Sequence, residues 1–514
     1  MIDLTVKEIA EIVGGTLDSV ANPDAKVTSF VEFDSRKLSP GGLFLCFPGT
    51  NVDGHDFAEK AIEQGAVAVL AARPVGVPAI VVEPTGKVEG DSANADIYAN
   101  DSDGSAAAVV RALSDLAHYV TGKLTSEHDL TIIGVTGSAG KTSTKDLIAT
   151  ILRNDGETVA PPGSFNNEIG HPYTALRSDV DTQYLVAELS ARGIGHIKHL
   201  TDIATPRIGV VLNVGSAHLG EFGSRGNIAI AKGELVEALP SAADGGVAVL
   251  NADDEFVAAM ASRTQAKVVR YSSANPPAPD ADYYATDITL DNVARPSFTL
   301  HAPGAVPVSV KLQVFGVHQV SNSLAAAAAA IEAGLSVEAV ADSLSGHKNA
   351  SAHRMDVHTR ADGVTIINDS YNANPDSMRA AIAALGYTTS GRADARAIAV
   401  LGEMGELGPD AIDAHYALGG ELAKFHVNTL IVVGDSENCE AMADAAIERG
   451  INTKVSRDID DAIWHIEEVL KTPPAGVEDW SARELKDVVL VKASNAQRLW
   501  LVSERLLNGS DTLK

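Results

Sequence analysis

Apolar residues along this chain come in short runs separated by segments of helical spacing, and the alternation recurs from end to end. Leu130, Ile132, Ile133 and Val135 form one run of strand length, and beyond it Leu147, Ile148, Ile151 and Leu152 repeat at helical spacing. The same rhythm predicts strands at 184–189, 208–214, 247–251 and 268–271, and a second set at 364–368, 397–401, 430–433 and 488–491. Such alternation is the mark of mostly parallel sheets covered by helices. Residues 306–316 (VPVSVKLQVFG) instead alternate singly, as an antiparallel strand does, and an alanine-rich helix follows, opening at or near Asn322. Nearer the start, Leu4, Ile9 and Ile12 fit a short helix closed by Gly14-Gly15. An apolar strand follows the Pro40-Gly41-Gly42 turn, with a helix at 58–65 and a strand at 66–70.

Punctuation divides this pattern. Residues 86–105 are acidic and rich in Gly, Ser, Asn and Asp, the composition of a linker. A helix from Ala106, with Val109, Leu113, Leu116 and Ala117 on one face, leads into the 130–135 strand. In NPDSMRAAIAALG, Asn374 is placed as N-cap, Pro375 as the first helical residue, Met378, Ile382 and Leu385 as the buried stripe and Gly386 as the stop. The expectation is an α/β protein of three domains. A small α/β unit spans 1–105, a central P-loop parallel-sheet domain 106–346 and a Rossmann-like domain 347–514. The last lacks G-x-G-x-x-G, so NAD is not expected there.

The chemistry concentrates after the 130–135 run, in T-G-S-A-G-K-T. Gly137, Ser138, Ala139 and Gly140 make a loop poor in side chains, followed by Lys141, Thr142 and Ser143 at a helix start. Backbone N–H groups and the helix N-terminus of such a loop cradle phosphates, the lysine reaches the terminal phosphates, and the hydroxyl of Thr142 can hold Mg²⁺. Val135 stands where the commoner G-x-x-x-x-G-K-[ST] pattern has its first glycine. ATP or a close relative is the expected ligand. Ligands of open α/β sheets bind beyond strand ends, where Glu188, Asn213 and His218 stand. A buried Glu188 needs a cation or a hydrogen-bond donor, and Mg²⁺ beside the phosphates would serve. His218 is open to a structural role as well as a ligand's. Lys232 and Glu234 are expected near a helix start. Ser35 and Arg36 could bind a polar ligand or form a solvated surface turn.

Charge and cysteine content narrow the setting. A net charge of −28 opposes nucleic-acid binding, because phosphates would be repelled. Cys46 and Cys439 lie far apart, without metal spacing, which fits a reducing compartment. The start carries acids and no basic segment ahead of an apolar core, and the apolar stretch 324–335 is too short to span a bilayer. The expectation is a cytosolic protein, without membrane insertion and monomeric.

TGSAGKTSTK, NEIG (167–170), AELS (187–190), NVGSAHLGEFGS (213–224), AKGE (231–234), NDSYNANPDSM (368–378) and LGEMGELG (401–408) together resemble the Mur ligases, over nearly the whole chain. Within that family the D-S-Y-N-A-N-P and L-G-E-M-x-E-L-G segments are similar to the member that adds D-alanyl-D-alanine. The resemblance implies an ATP-dependent amide ligase of peptidoglycan synthesis. A UDP-N-acetylmuramoyl-tripeptide would be activated as an acyl phosphate and then attacked by the dipeptide amine. It implies two Mg²⁺ ions on Thr142, Glu188, His218 and Lys232, with Lys232 carbamylated, and catalytic roles for Lys141, Lys232 and His218. It also implies Asn322, Arg354 and Asp369 near ATP, Asn372 and Asn374 shaping the dipeptide site, and Ser35 and Arg36 at the uridine diphosphate end. For Lys232 a helix-surface salt bridge is the competing role. The alternatives in function are a sibling or folylpolyglutamate-type ligase adding another amino acid, a silent nucleotide-binding scaffold, and a P-loop motor or switch. His353, Asn368 and Asn495 depart from the family pattern, which has Gly, Asp and Arg there.

Overall fold

The computed structural model describes residues 1–48, 52–86, 101–215, 219–291, 294–348, 351–392, 394–473 and 486–508. His218 lies outside the described residues, as does most of the 86–105 linker. Three α/β bodies follow one another along the chain. The first carries a five-stranded sheet and a two-stranded ribbon, the second a nine-stranded sheet, the third a six-stranded sheet.

In the nine-stranded sheet the Thr131–Thr136 strand is third from one edge, paired in parallel with Tyr184–Glu188 on one side and Ile208–Val211 on the other. These strands are buried on both faces, so their apolar residues run continuously instead of alternating. Lys141–Arg153 lies on one face, packed against the helix His318–Glu332, whose Ala325 to Ala330 are fully buried. The small alanine side chains let this helix pack closely against the phosphate-loop helix on one side and the sheet strands on another. That helix begins at His318, four residues before the position read from sequence, and has no side-chain cap at Val317 to mark its start. Three antiparallel strands close the sheet's far side: Tyr283–Leu290, Pro296–His301 and Val308–Lys311. Only the last was expected.

The helix Ser105–His128 joins the first body to the second. It packs against Val6–Val13 as well as against Gly170–Ala175 and His196–Ile203, and one apolar core runs through all of them. Leu4, expected in the first helix, stands in the strand Leu4–Thr5 just before it.

In the third body, β-strands Thr365–Asn368, Val488–Lys492, Ala397–Leu401, Thr429–Val433 and Asn452–Ser456 are parallel, and Asp356–Thr359 adds an antiparallel edge. Asn374 and Pro375 open their helix as read, with a reciprocal cap to Ser377, and Met378, Ile382 and Leu385 are buried. Gly386 does not end that helix, which continues to Ser390. The glycine is there for packing: a Cβ on it would lie 2.8 Å from the Cβ and the carbonyl oxygen of Phe425. Gly386→Val is accordingly expected to destabilise the protein by about 1–3 kcal/mol through overpacking. A lowered urea midpoint at unchanged slope would register it.

The third body is tied to the phosphate-loop helix through the connecting segment. Thr150 shares a 2.8 Å hydrogen bond with His347 Nδ1, and Ser351 Oγ donates to Asp146 Oδ2 at 2.6 Å. These bonds carry the third body's first residues over the cleft.

Candidate active site

A cavity of about 720 Å³ opens where the phosphate loop faces the third body. Its wall includes Ser138, Ala139, Gly140, Lys141, Thr142 and Ser143 from the loop. Gly140 adopts φ +84°, and a Cβ there would lie 2.6 Å from Asn322 Oδ1, so only glycine fits. Gly137 stands behind the wall. Its carbonyl accepts a 2.8 Å bond from Lys141 Nζ, and a Cβ on it would meet Leu212 at 2.9 Å. Asn213 braces the loop from the neighbouring strand end: its Nδ2 donates to the Ala139 carbonyl and its Oδ1 accepts the Ala139 N–H, at 3.1 and 2.9 Å.

Thr142 and Glu188 converge at the loop's helix start. The Thr142 hydroxyl donates to Glu188 Oε2 at 2.9 Å, and Asn166 Nδ2 donates to Oε1 at 2.8 Å. Glu188 is 1% exposed and has no cation bonded to it among the described residues. A buried carboxylate beside a hydroxyl, open to a cavity, fits a hard divalent cation that takes its other ligands from phosphate oxygens and water. Among the described residues no three His, Cys, Asp or Glu side chains cluster, so a cation here would rest on one carboxylate. Burial lowers the pKa of Lys141, opposed by Glu188 and reinforced by Arg354.

Lys232 does not line the cavity. It lies in the second half of the helix Arg225–Glu237, not near its start, and is 3% exposed. Its ammonium is held well below the ordinary lysine pKa, first by burial and then by Lys141. The surface salt bridge weighed for Lys232 is excluded by that burial, whereas Glu234 accepts the backbone N–H groups of Gly195 and Lys198.

From the third body, Arg354, Asp369, Asn372 and Asn374 reach the cavity, and Asn322 reaches it from the central body. Arg354 donates to Ser164 Oγ at 2.8 Å while its guanidinium lies 4.2 Å from the Tyr371 ring centre. Ser164 in turn is 3.0 Å from the Thr142 hydroxyl. Asn374 spends its side-chain oxygen on the cap to Ser377. Ser35 and Arg36 are not among the cavity residues. They form a one-turn 3₁₀ helix, where Arg36 is exposed and paired with Asp34 at 2.9 and 2.8 Å.

Lys492, Ser164 and Asn166 also line the cavity and were missed by the sequence reading. A lysine ending an apolar strand, as in VVLVK, was the available signal for the first. Two departures from the family pattern touch each other: His353, at φ +60°, has Nδ1 3.0 Å from Asn368 Nδ2 and stacks on Trp500 at 5.4 Å. The left-handed φ accounts for the glycine usual at 353.

Three family models match: Mur ligase family, catalytic domain, over residues 27–118; Mur ligase middle domain over 135–330; and Mur ligase, glutamate ligase domain over 353–495. This chain belongs to the Mur ligase family. It is 51% identical to UDP-N-acetylmuramoyl-tripeptide–D-alanyl-D-alanine ligase of Mycobacterium tuberculosis over 99% of this chain and 98% of that protein. Among solved structures it is similar to MurF of Acinetobacter baumannii (TM-score 0.80, 26% identity, 98% and 99% of the two chains). It is also similar to MurF of Thermotoga maritima in complex with ADP (TM-score 0.71, 27% identity, 93% and 97%).

Proposed function

We propose that this protein is the ATP-dependent ligase that joins D-alanyl-D-alanine to UDP-N-acetylmuramoyl-tripeptide in cell-wall synthesis. The observation that carries the reading is the cavity in which the phosphate loop meets the D-S-Y-N-A-N loop of the third body, within a chain 51% identical to such a ligase. The domain bounds 1–105, 106–346 and 347–514 belong to this proposal, supported by one main sheet in each span. So do a cytosolic setting and a monomeric state; among the described residues no helix is long and apolar enough to cross a membrane.

A carboxylate becomes an acyl donor only when phosphorylated, and two anions must first be brought together. Loop N–H groups, Lys141 and Arg354 supply positive potential for the triphosphate. The tripeptide carboxylate attacks the γ-phosphorus, the bond to the bridging oxygen breaks, and ADP leaves. The dipeptide amine then attacks the acyl carbon, loses a proton, and phosphate departs. Thr142 and Glu188 would hold Mg²⁺, with Lys232 as its carbamate and His218 proposed for a second ion. When bound, Mg²⁺ neutralises phosphoryl oxygens as charge moves onto them. Asn322 and Asp369 are proposed around the nucleotide, Asn372 and Asn374 around the dipeptide. Ser35 and Arg36 are proposed for the uridine diphosphate end, with the Asp34 pair opening to release the guanidinium.

Phosphate release from ATP should require Mg²⁺, the UDP-tripeptide and D-Ala-D-Ala together. Release indifferent to the dipeptide, or supported equally by glutamate, would overturn the reading. Glu188→Gln should raise the Mg²⁺ concentration for half-maximal rate by about tenfold or more, since the neutral amide keeps the shape and loses the charge. A Mg²⁺ titration checks it.

A further inference from the structure

Lys492 is the last residue of the strand Val488–Lys492 and is 2% exposed, yet no step of the reaction above uses it. Its ammonium has three N–H donors, and three acceptors surround it: Asp369 Oδ2 at 2.6 Å, the Asp369 carbonyl at 3.2 Å and the Asn372 carbonyl at 2.7 Å. All three belong to one four-residue stretch of the third body. That stretch and Asn374 just beyond it present Asp369, Tyr371, Asn372 and Asn374 to the cavity. The second oxygen of Asp369 accepts the Met355 N–H at 3.0 Å, which fixes the backbone next to Arg354. Arg354 crosses to Ser164, and Ser164 to Thr142. One run of contacts therefore leads from Lys492 to the phosphate loop.

We propose that Lys492 is a positioning residue that clamps the 369–372 loop, and through Asp369 and Arg354 sets where nucleotide and acceptor amine lie relative to each other. A buried ion pair is a poor source of net stability compared with apolar packing, and here its three directed hydrogen bonds hold the loop in one geometry. With every donor directed at the loop, the ammonium holds the loop and leaves ligand contact to the residues it carries. Misplacing reacting groups by an ångström costs rate steeply.

The inference rests on the ligase reading, and the test separates the two. Lys492→Met is compared with Arg396→Met. Arg396 makes the analogous pair with buried Asp487 at 2.6 Å, at the opposite end of the same strands and away from the cavity. In Lys492→Met, KM for ATP and for D-Ala-D-Ala should each rise about tenfold while KM for the UDP-tripeptide stays within twofold. Arg396→Met should lower the unfolding midpoint and leave all three KM values in place. If Lys492→Met only lowers the midpoint, the clamp is refuted. If Lys492→Met does not fold, Lys492→Gln is read the same way, and failure of both to fold assigns the residue to stability and overturns the proposal. Wild-type enzyme indifferent to the dipeptide would sink the ligase reading alone. ADP titration would then still decide: affinity weakened about tenfold in the variant supports the clamp, and unchanged affinity refutes it.

Discussion

Lys141→Met is expected to lower kcat/KM for ATP by about three orders of magnitude, ~4 kcal/mol of transition-state stabilisation. The side chain is poised by the loop that carries it: its Nζ rests 2.8 Å from the Gly137 carbonyl, one turn back, inside the cavity wall. Burial pulls its pKa down, so the folded protein already opposes the cation's charge. A triphosphate supplies the missing anions, and charge on the phosphoryl oxygens grows as the bridging bond breaks. Methionine keeps most of the apolar stem and removes the ammonium, its charge and its N–H donors together. Arginine is not a substitute, because its planar fork cannot occupy a point-charge position between loop carbonyl and phosphate. Phosphate-release kinetics with all substrates present measure the loss, and an unchanged unfolding midpoint shows that the fold is intact. Activity within tenfold of wild type would remove Lys141 from the phosphoryl-transfer step.

What the residue pattern disclosed and what it hid have physical reasons. The phosphate loop was legible because its chemistry is local: glycines, a lysine and a threonine within seven residues, between an apolar run and a helical repeat. The strands Asn452–Ser456 and Asp356–Thr359 were not, because edge strands are half solvated; the first exposes three of its five residues and the second has none buried. Gly386 read as a helix stop since glycine has no side chain to reveal its tertiary partner, and Phe425 lies 39 residues away in sequence. The cavity's third-body wall could be suspected only from family resemblance. Lys492 bonds residues more than a hundred positions earlier, a relation that periodicity does not record. The departures at 353 and 368 looked independent in the sequence; in the structure they form one contact, with the Asn368 amide donating to the His353 ring.

Lys232→Ala is expected to cut kcat by about two to three orders of magnitude and to abolish a dependence on dissolved CO₂ that the wild type should show. A buried ammonium beside Lys141 is disfavoured twice, by desolvation and by like charge, and both lower its pKa. A lower pKa means more neutral amine near neutral pH, which is the form that reacts with CO₂. The amine nitrogen bonds the carbon of CO₂, one proton leaves, and a carboxylate remains on the side chain. That exchange would turn repulsion from Lys141 into attraction and give the side chain an anionic group able to ligate a cation. In CO₂-depleted buffer wild-type activity should fall, and it should return on adding bicarbonate. With ¹³C-bicarbonate the wild type should give a carbamate resonance that Lys232→Ala lacks. Full activity in depleted buffer, with no such resonance, would leave Lys232 a buried amine and leave any second Mg²⁺ to His218, the phosphates and water.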